Sequence, residues 1–390
     1  MLTVGVFLGN NVPPSFLNIR RTFDGSRSVV KDLMNTMSNV DDALDPRGMP
    51  RMRIRFPPGG NITFLEAIKT CETLACVKEA HLIPRGPHET KYNFPHFMIA
   101  GYSKSATTTL HSYLVKHPNV LQPIKKEPAF FTDRCDYIGK KRVCPPRKEH
   151  EYIRLYLRRD RFVENDGQVL VYDATPRTFD LGPELADIMY ETMPWMKMVV
   201  SMREPISRAI SKYVMFKDKF GKGCFVNETL SWCLLHDKER FYGNPKKKYY
   251  SVPLRYWLDN FPVDQIKLIQ FENLVGEGQA EELRGLKEFL GLDPELTGDS
   301  LDYGVVKNQT EAGNVNCRHC VIHPEGWPIE EKVYRALIRK VEVDVKELTR
   351  LIDKYKLGDA ARWTRNWKAI WDRNLKSCDK ITKMCHIQLV

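Results

Sequence analysis

The sequence predicts an α/β fold in which a P-loop-like parallel β-sheet is flanked by helices within a single main domain. From Asn93 onward, short apolar runs alternate with amphipathic stretches, the pattern of strands joined by crossover helices. Two of the apolar runs also end directly in polar segments that carry basic and hydroxyl side chains. The 390 residues, 42% of them hydrophobic, suffice for one large α/β domain.

Composition divides the chain into three parts. Residues 1–94 mix polar stretches with Pro and Gly at 57–60 and one helical pattern from Phe64 to about Ala80, which predicts a stem or an appended segment. Residues 95–375 are predicted to form the main domain, and residues 376–390 a C-terminal tail.

Each element of the main domain follows from its hydrophobic pattern. The predicted strands cover 97–100, 169–172, 197–202 and 266–271, with a further strand-like run at 120–124. The predicted helices cover 107–116, 181–191, 206–217, 279–290 and 329 to about 355. The last stretch has Trp363, Trp367 and Trp371 at four-residue spacing, which predicts a packed helix rather than a sugar-binding surface.

The first polar segment follows the run at 97–100 and reads Gly101-Tyr-Ser-Lys-Ser-Ala-Thr-Thr-Thr109. A strand that turns into a helix presents free backbone N–H groups and the positive end of the helix dipole. Lys104 adds a positive charge and the three threonines add hydroxyl donors, so phosphate or sulfate is the expected ligand. The same residues also fit an ordinary strand–turn–helix joint with a polar surface.

The second polar segment runs from Met198 to Tyr213. Its apolar run leads into Arg203, and Pro205 suits the first position of a helix. Arg203 and Ser211, a little over two turns later, could converge on one phosphate. The alternative is a capped helix with solvated charges. Two anion sites in one α/β domain suggest a ligand with separated phosphates.

These segments resemble two motifs of the sulfotransferases that use 3′-phosphoadenosine 5′-phosphosulfate. Lys104-Ser-Ala-Thr-Thr108 is similar to their 5′-phosphosulfate loop, K-x-G-T-T or K-x-G-T-R. Arg203-Glu-Pro-Ile-Ser-Arg-Ala-Ile-Ser-Lys-Tyr213 is similar to their 3′-phosphate motif, R-x-P-x-x-R-x-x-S-x-Y. Ala106 stands where the loop usually has glycine, which we expect to be tolerated only with a negative φ.

Within the family, three further segments resemble those of Golgi carbohydrate sulfotransferases, such as heparan sulfate 3-O- and N-sulfotransferases. Lys126-Glu-Pro-Ala-Phe-Phe131 is similar to K-E-x-x-F-F, and Asp173-Ala-Thr-Pro176 to the substrate-side strand end. Arg318-His-Cys-Val-Ile-His-Pro324 is similar to the cofactor loop K-G-R-x-H-P, without the lysine. Ala129 and Ala174 replace a histidine and a lysine of the heparan sulfate enzymes.

The resemblance implies the sulfotransferase fold and sulfotransferase activity with 3′-phosphoadenosine 5′-phosphosulfate as the donor. The expected product is adenosine 3′,5′-bisphosphate, and no metal is expected. It implies Glu127 as the general base and Lys104 as the contact to the leaving group; Glu127 could instead form a surface salt bridge with Lys125 or Lys126. The implied cofactor-binding residues are Lys104, Ser105, Ala106, Thr107, Thr108, Thr109, Arg203, Ser211, Arg318 and His319. The implied substrate contacts are Asp173, Thr175 and Arg177.

The acceptor is less determined than the donor. The net charge of +11 and the basic segments at 140–148 and 154–161 favour a hydroxyl on an acidic or sulfated glycan. A small molecule or a protein tyrosine is the alternative. A kinase or NTPase would need a second glycine before the lysine of the loop, and a lectin or scaffold would not explain two anion loops. The basic clusters lack interleaved aromatic residues, so nucleic acid is not expected.

Ten cysteines in close-neighbour positions and sequons at Asn61, Asn227 and Asn308 predict local disulfides and an oxidising compartment, the Golgi lumen or the secretory pathway. A zinc site is the alternative to a disulfide for Cys317-x-x-Cys320, because His319 and His323 lie close by in the sequence. No apolar run is long enough to span a membrane. Golgi sulfotransferases are typically type II membrane proteins, so the resemblance implies the lumenal part of such a protein, or a chain without its N-terminal anchor. The oligomeric state is not predicted.

Overall fold

The computed structural model describes residues 62–86, 89–134, 136–138, 141–143, 146–221, 223–236, 250–297 and 323–389. Several sequence predictions lie outside these residues, namely the cofactor contacts Arg318 and His319, the sequons at Asn61 and Asn308, and four cysteines (Cys135, Cys144, Cys317 and Cys320).

The strands of the described residues are β1 Phe97–Gly101, β2 Asp136–Ile138, β3 Lys141–Val143, β4 Tyr172–Asp173, β5 Lys197–Met202, β6 Ile266–Gln270, β7 Trp327–Glu330 and β8 Met384–Ile387. The α-helices are α1 Phe64–Thr70, α2 Leu74–Ala80, α3 Thr107–Leu114, α4 Pro146–Glu151, α5 Arg159–Glu164, α6 Pro183–Thr192, α7 Pro205–Phe220, α8 Cys224–Asn227, α9 Leu230–His236, α10 Ser251–Asn260, α11 Phe271–Leu274, α12 Gln279–Leu290, α13 Glu331–Lys354 and α14 Ala360–Lys376.

The main sheet has the strand order β4-β1-β5-β6, and all of its pairings are parallel. β1 lies between β4 and β5, and every one of its residues is buried, as expected for a strand covered on both faces. Because β1 and β5 are adjacent and parallel, their carboxyl ends meet at one edge of the sheet. The two anion-binding segments predicted from the sequence begin there. The predicted α/β class with a parallel sheet and flanking helices is confirmed.

The predicted bounds hold where periodicity is strong. β5 and α12 coincide with their predicted ranges. The run at 120–124 is not a strand, since Val120 only bridges Leu170. The predicted helix at 64–80 is two helices, because Thr73 caps a new one by accepting from Cys76 N. Residues 329 and 330 belong to β7 rather than to the long helix α13.

The predicted domain division at residues 94 and 375 stays a prediction, and two sets of contacts bear on it. Phe64 of α1 packs edge-on against Phe162 of α5, with ring centroids 6.5 Å apart. Beyond residue 375, β8 pairs antiparallel with β7. The elements that lie outside the predicted boundaries, α1 before residue 94 and β8 after residue 375, therefore pack against the main domain.

The C-terminal tryptophans form a helix, as predicted. Trp363, Trp367 and Trp371 are all buried on one face of α14. No helix in the described part of the chain combines the length and the apolar character that crossing a membrane requires.

Three disulfides are present among the described cysteines: Cys71–Cys76, Cys224–Cys233 and Cys378–Cys385. Each joins cysteines close in sequence, as predicted.

Candidate active site

The loop between β1 and α3 has the backbone of an anion-binding turn. Lys104 and Ala106 both adopt left-handed backbone conformations, with φ of 72° and 60°. The expectation of a negative φ at Ala106 is therefore wrong: the turn keeps the conformation that glycine favours, although the residue is alanine. Ala106 occupies the N-cap position of α3 and makes no side-chain cap. The first N–H groups of α3 are therefore not satisfied by their own N-cap residue.

Four serine hydroxyls of this region are buried and, within the described residues, make no hydrogen bond. They belong to the loop (Ser105), to β5 (Ser201) and to α7 (Ser207 and Ser211). Buried hydroxyls are normally paired, so such a group points to a polar ligand. Ser207 and Ser211 lie one turn apart on the same face of α7. The loop and α7 thus both carry donors suited to a bound anion.

Two arginines join the segments that the sequence separates by about a hundred residues. Arg203 Nη1 donates to the carbonyl of Lys104 at 3.4 Å, and Arg208 Nε donates to the carbonyl of Ser103 at 3.3 Å. The Arg203 guanidinium stacks on Phe271, 4.6 Å from the ring centroid, and is largely buried. Arg208 lies over the ring of Tyr102 at 4.5 Å. The contact of Arg203 with the loop brings Lys104, Ser105, Ala106 and Arg203 close together, and their roles in binding a cofactor stay predictions.

The joint between β5 and α7 differs from the joint between β1 and α3. Its N-cap residue, Glu204, is buried and accepts from Ile206 N at 2.8 Å and from Ser207 N at 2.7 Å. The first amides of α7 are therefore used by the chain's own carboxylate. Any anion bound at this joint would be held by side chains such as Arg203 and Ser211, not by the helix N-terminus.

A second carboxylate, Glu272, is half-buried beside the same joint. It accepts from Glu204 N at 2.7 Å and from Trp367 Nε1 at 2.8 Å. Burial raises the pKa of Glu272 to about 7, against the lowering effect of these hydrogen bonds. Burial also lowers the pKa of Arg203, while the charges of Glu272 and Glu204 act in the opposite direction. Arg203, Glu204 and Glu272 therefore interact electrostatically with one another.

Glu127, the predicted general base, lies on a loop that the end of β4 holds in place. The side chain of Glu127 is 51% exposed and forms an ion pair with Lys126 at 2.5 Å, as its alternative interpretation anticipated. Lys126 O accepts from Ala174 N at 3.2 Å, and Ala129 N donates to Thr175 Oγ1 at 3.1 Å.

Asp173 lies beneath this loop rather than on the surface. It accepts from the hydroxyls of Thr175 at 2.6 Å and Tyr152 at 2.9 Å. Burial raises its pKa to about 6, and the charge of Glu127 adds to that rise. Arg177 is exposed. The roles of Asp173, Thr175 and Arg177 in binding an acceptor stay predictions, and the contacts of the first two also support the Glu127 loop.

His111, which the sequence reasoning did not single out, lies close enough to Lys126 and Glu127 for their charges to act on it. Its Nδ1 lies 2.7 Å from the hydroxyl of Tyr172. Burial lowers the pKa of His111, and the charges of Lys126 and Glu127 act on it with opposite signs. The sequence could have indicated this position, because His111 follows Thr107 by four residues and so lies one turn further along the same face of α3.

Comparisons with known proteins agree with this geometry. A family model described as "Sulfotransferase domain" matches residues 94–320, more than half of the chain. Human heparan sulfate glucosamine 3-O-sulfotransferase 6 is 26% identical over 264 residues, which cover 67% of this chain and 71% of that protein. Human heparan sulfate glucosamine 3-O-sulfotransferase 5 is 24% identical over 227 residues, covering 56% of this chain and 60% of that protein.

Among solved structures, a sulfotransferase from Alicyclobacillus acidocaldarius matches with a TM-score of 0.45 at 22% sequence identity. The match covers 69% of this chain and 98% of the bacterial one.

Proposed function

The chain belongs to the sulfotransferase family, and on that premise we propose that it transfers the sulfuryl group of 3′-phosphoadenosine 5′-phosphosulfate to a hydroxyl of an acidic or sulfated glycan. The observation that carries the donor assignment is the contact of Arg203 with the carbonyl of Lys104. It joins a loop suited to a 5′-phosphosulfate to side chains suited to a 3′-phosphate.

The residues present fit this donor at both ends. The left-handed turn at Lys104 and Ala106 and the uncapped start of α3 suit an anionic group. The buried hydroxyls of Ser207 and Ser211 supply donors near Arg203, where helix amides are already used by Glu204. Lys104, Ser105, Thr107, Thr108 and Thr109 would hold the phosphosulfate, and Arg203 and Ser211 the 3′-phosphate. Among the described residues no cluster of metal-ligating side chains stands beside them.

The bound donor supplies a sulfuryl group activated by a phosphate leaving group. The protein's part is positioning and charge compensation, as in phosphoryl transfer. Lys104 would neutralise charge on the leaving oxygen as its bond to sulfur breaks. Glu127 would take the proton of the acceptor hydroxyl as the new oxygen–sulfur bond forms. The hydrogen bonds that fix residues 126–129 to the end of β4 would hold Glu127 in reach of that hydroxyl.

A glycan acceptor is supported by the heparan sulfate enzymes among the relatives and by the net charge of +11. Ala129 and Ala174 lack polar side chains, so two contacts to an anionic sugar that the resemblance would place there are missing. For this reason we do not assign heparan sulfate as the acceptor. Transfer to a small molecule or to a protein tyrosine is the alternative.

The three disulfides support a further part of the proposal, that the protein works in the Golgi lumen or elsewhere in the secretory pathway. Such bonds persist in oxidising compartments and are rare where thiols are kept reduced. The exposed sequon at Asn227 would be accessible for glycosylation there.

Substitution of Arg203 tests the donor assignment. Arg203→Ala should weaken binding of adenosine 3′,5′-bisphosphate by about 10²-fold, the loss expected when the charged partner of a phosphate is removed. Calorimetric titration of the wild type and the variant measures this, with ATP as the comparison ligand and Arg161→Ala as the control. Arg161 is an exposed arginine of α5 that pairs with Glu164. Unchanged affinity in Arg203→Ala, or preference of the wild type for ATP, would overturn the assignment.

A further inference from the structure

The C-terminal helix α14 carries two tryptophans whose indoles donate to carboxylates, one buried (Glu204) and one half-buried (Glu272). Trp371 Nε1 donates to Glu204 Oε1 at 2.8 Å, and Trp367 Nε1 donates to Glu272 Oε2 at 2.8 Å. The two tryptophans lie one turn apart, on the same face of the helix. Both follow residue 320, so they lie outside the segment that the family model matches.

The two carboxylates are connected through the backbone of Glu204. Its N–H donates to Glu272 Oε1 at 2.7 Å, while its own side chain caps α7 through Ile206 N and Ser207 N. All five hydrogen bonds of this cluster are therefore donated to a carboxylate oxygen. The indoles complete a donor set that fixes the orientation of both acids and, through the cap, of the first turn of α7.

The residues assigned to the 3′-phosphate, Arg203 and Ser211, lie on either side of that turn. Arg203 immediately precedes Glu204, and Ser207 and Ser211 follow on α7. The guanidinium of Arg203 stacks on Phe271, the neighbour of Glu272, and interacts electrostatically with both carboxylates. A change in the orientation of either acid therefore acts directly on the position of Arg203.

The helix α13 also makes hydrogen bonds that reach Arg203, through Tyr250. The hydroxyl of Tyr250 donates to Arg203 O at 2.7 Å. Tyr250 N in turn donates to Asp344 Oδ2 of α13 at 2.9 Å. The helix α14 thus contacts Glu204 directly, and the helix α13 contacts Arg203 through Tyr250.

We propose that Trp367 and Trp371 are positioning residues for the 3′-phosphate end of the nucleotide site, which rests on the donor assigned under the proposed function. A buried carboxylate that loses an indole donor is left with part of its hydrogen-bonding capacity unused. The carboxylate then changes its orientation, and its electrostatic attraction to the positive charge of Arg203 changes with it. Arg203 and the start of α7 shift as a result, and the groups around the 3′-phosphate lose their alignment.

The test compares adenosine 3′,5′-bisphosphate, which carries the 3′-phosphate, with adenosine 5′-phosphosulfate, which lacks it. Because the second ligand also carries a sulfuryl group on its 5′-phosphate, each substitution is judged by the change in the ratio of the two dissociation constants relative to the wild type. Trp371→Phe and Trp367→Phe should each weaken binding of the bisphosphate about tenfold, as for the loss of a hydrogen bond to a charged group. Affinity for adenosine 5′-phosphosulfate should change by less than about twofold, because the indoles of Trp367 and Trp371 donate to Glu272 and Glu204 and not to the loop at 101–109. The control is Trp363→Phe on the same buried face of α14, which should leave the ratio of the two dissociation constants at the wild-type value.

The ratio separates a positioning role from general destabilisation, since a partly unfolded sample weakens both ligands equally. If Trp371→Phe does not fold, Trp367→Phe carries the test, because it leaves the cap of α7 intact. An unchanged ratio in a folded variant would overturn the inference, as would an equal change in Trp363→Phe. A wild-type protein that shows no preference for the bisphosphate would instead refute the donor assignment itself.

Discussion

Backbone strain at a single residue is part of how the candidate active site is built. Ala106 holds a φ of 60°, a conformation that costs a residue with a Cβ atom about 1 kcal/mol or more relative to its usual backbone. Lys104 has a similar conformation two residues earlier. Residues held in this way are frequent at ligand-binding turns, where the surrounding structure maintains them.

Replacement of Ala106 by glycine should therefore stabilise the protein. Ala106→Gly is expected to raise the free energy of unfolding by about 1 kcal/mol, because glycine adopts this backbone without a Cβ clash. Urea denaturation measures the change. Ala369→Gly, at an exposed position in the middle of α14, is the matched control and should destabilise by about 1 kcal/mol. If both variants change stability in the same direction, the strain at Ala106 is not the cause.

Glu127 is the residue on which the proposed chemistry depends most. Glu127→Gln is nearly isosteric and cannot accept a proton, so turnover should fall by about 10²-fold or more. Nucleotide affinity should stay at the wild-type value, since Glu127 lies on a different loop from the donor-binding residues. Steady-state kinetics with labelled donor measures turnover, and Glu191→Gln, an exposed glutamate of α6, is the control. Near-normal turnover would leave only the ion pair with Lys126 as the role of Glu127.

At the level of secondary-structure elements, two joints that look alike in the sequence differ in how the first amides of their helices are satisfied. Both are a buried strand that turns into a helix at the same edge of the sheet. The joint before α3 has an alanine at its N-cap and keeps backbone donors for a ligand. The joint before α7 uses Glu204 to satisfy its own amides. Side chains must therefore supply the donors at the second joint.

The disulfide Cys378–Cys385 ties the end of α14 to β8 and thereby stabilises the C-terminal elements. It closes a loop over a sequence separation of 7 residues. In the chain-entropy treatment a loop of this length contributes about 2–3 kcal/mol. The double variant Cys378→Ala/Cys385→Ala should lose about that much stability in urea denaturation. Peptide mass mapping of secreted protein is the companion measurement, and ten free thiols would contradict both the disulfide and the lumenal compartment.

For the whole molecule, net charge and the position of the C-terminal helices matter most to the proposed activity. The chain carries a charge of +11, which favours encounter with acidic ligands over a distance set by salt screening. Asp344 of α13 and Trp367 and Trp371 of α14 make hydrogen bonds to residues that contact Arg203 or cap α7. Under the proposed positioning role, the site would depend on residues well beyond its motifs.

Transfer to glycans should be sensitive to ionic strength. With an acidic or sulfated glycan, the apparent KM should rise severalfold as salt increases from low to physiological concentration, since charge attraction is screened. An assay of labelled sulfate transfer across a panel of glycans, small alcohols, phenols and amines measures this at each salt concentration. The neutral acceptors serve as the internal control. Transfer to a neutral small molecule without salt dependence, and none to acidic glycans, would refute the glycan assignment.

Local pattern was enough to predict the parallel sheet, the two loops and the presence of local disulfides, although it left the pairing of the cysteines open. Apolar runs such as 197–202 and amphipathic stretches such as 279–290 encode their own element type, because burial on a sheet or on one helix face imposes a period. The motif around Lys104 and the motif around Arg203 could be assigned to one site because parallel strands end at a common edge.

Tertiary contacts decided the rest. The φ of Ala106, the burial of Asp173 and the hydrogen bond of His111 with Tyr172 depend on neighbours distant in sequence. The donation from Trp371 to Glu204 joins residues 167 positions apart. No local period or spacing encodes such a pair, because its energy comes from burying a carboxylate and an indole together, and only the folded chain brings them within hydrogen-bonding distance.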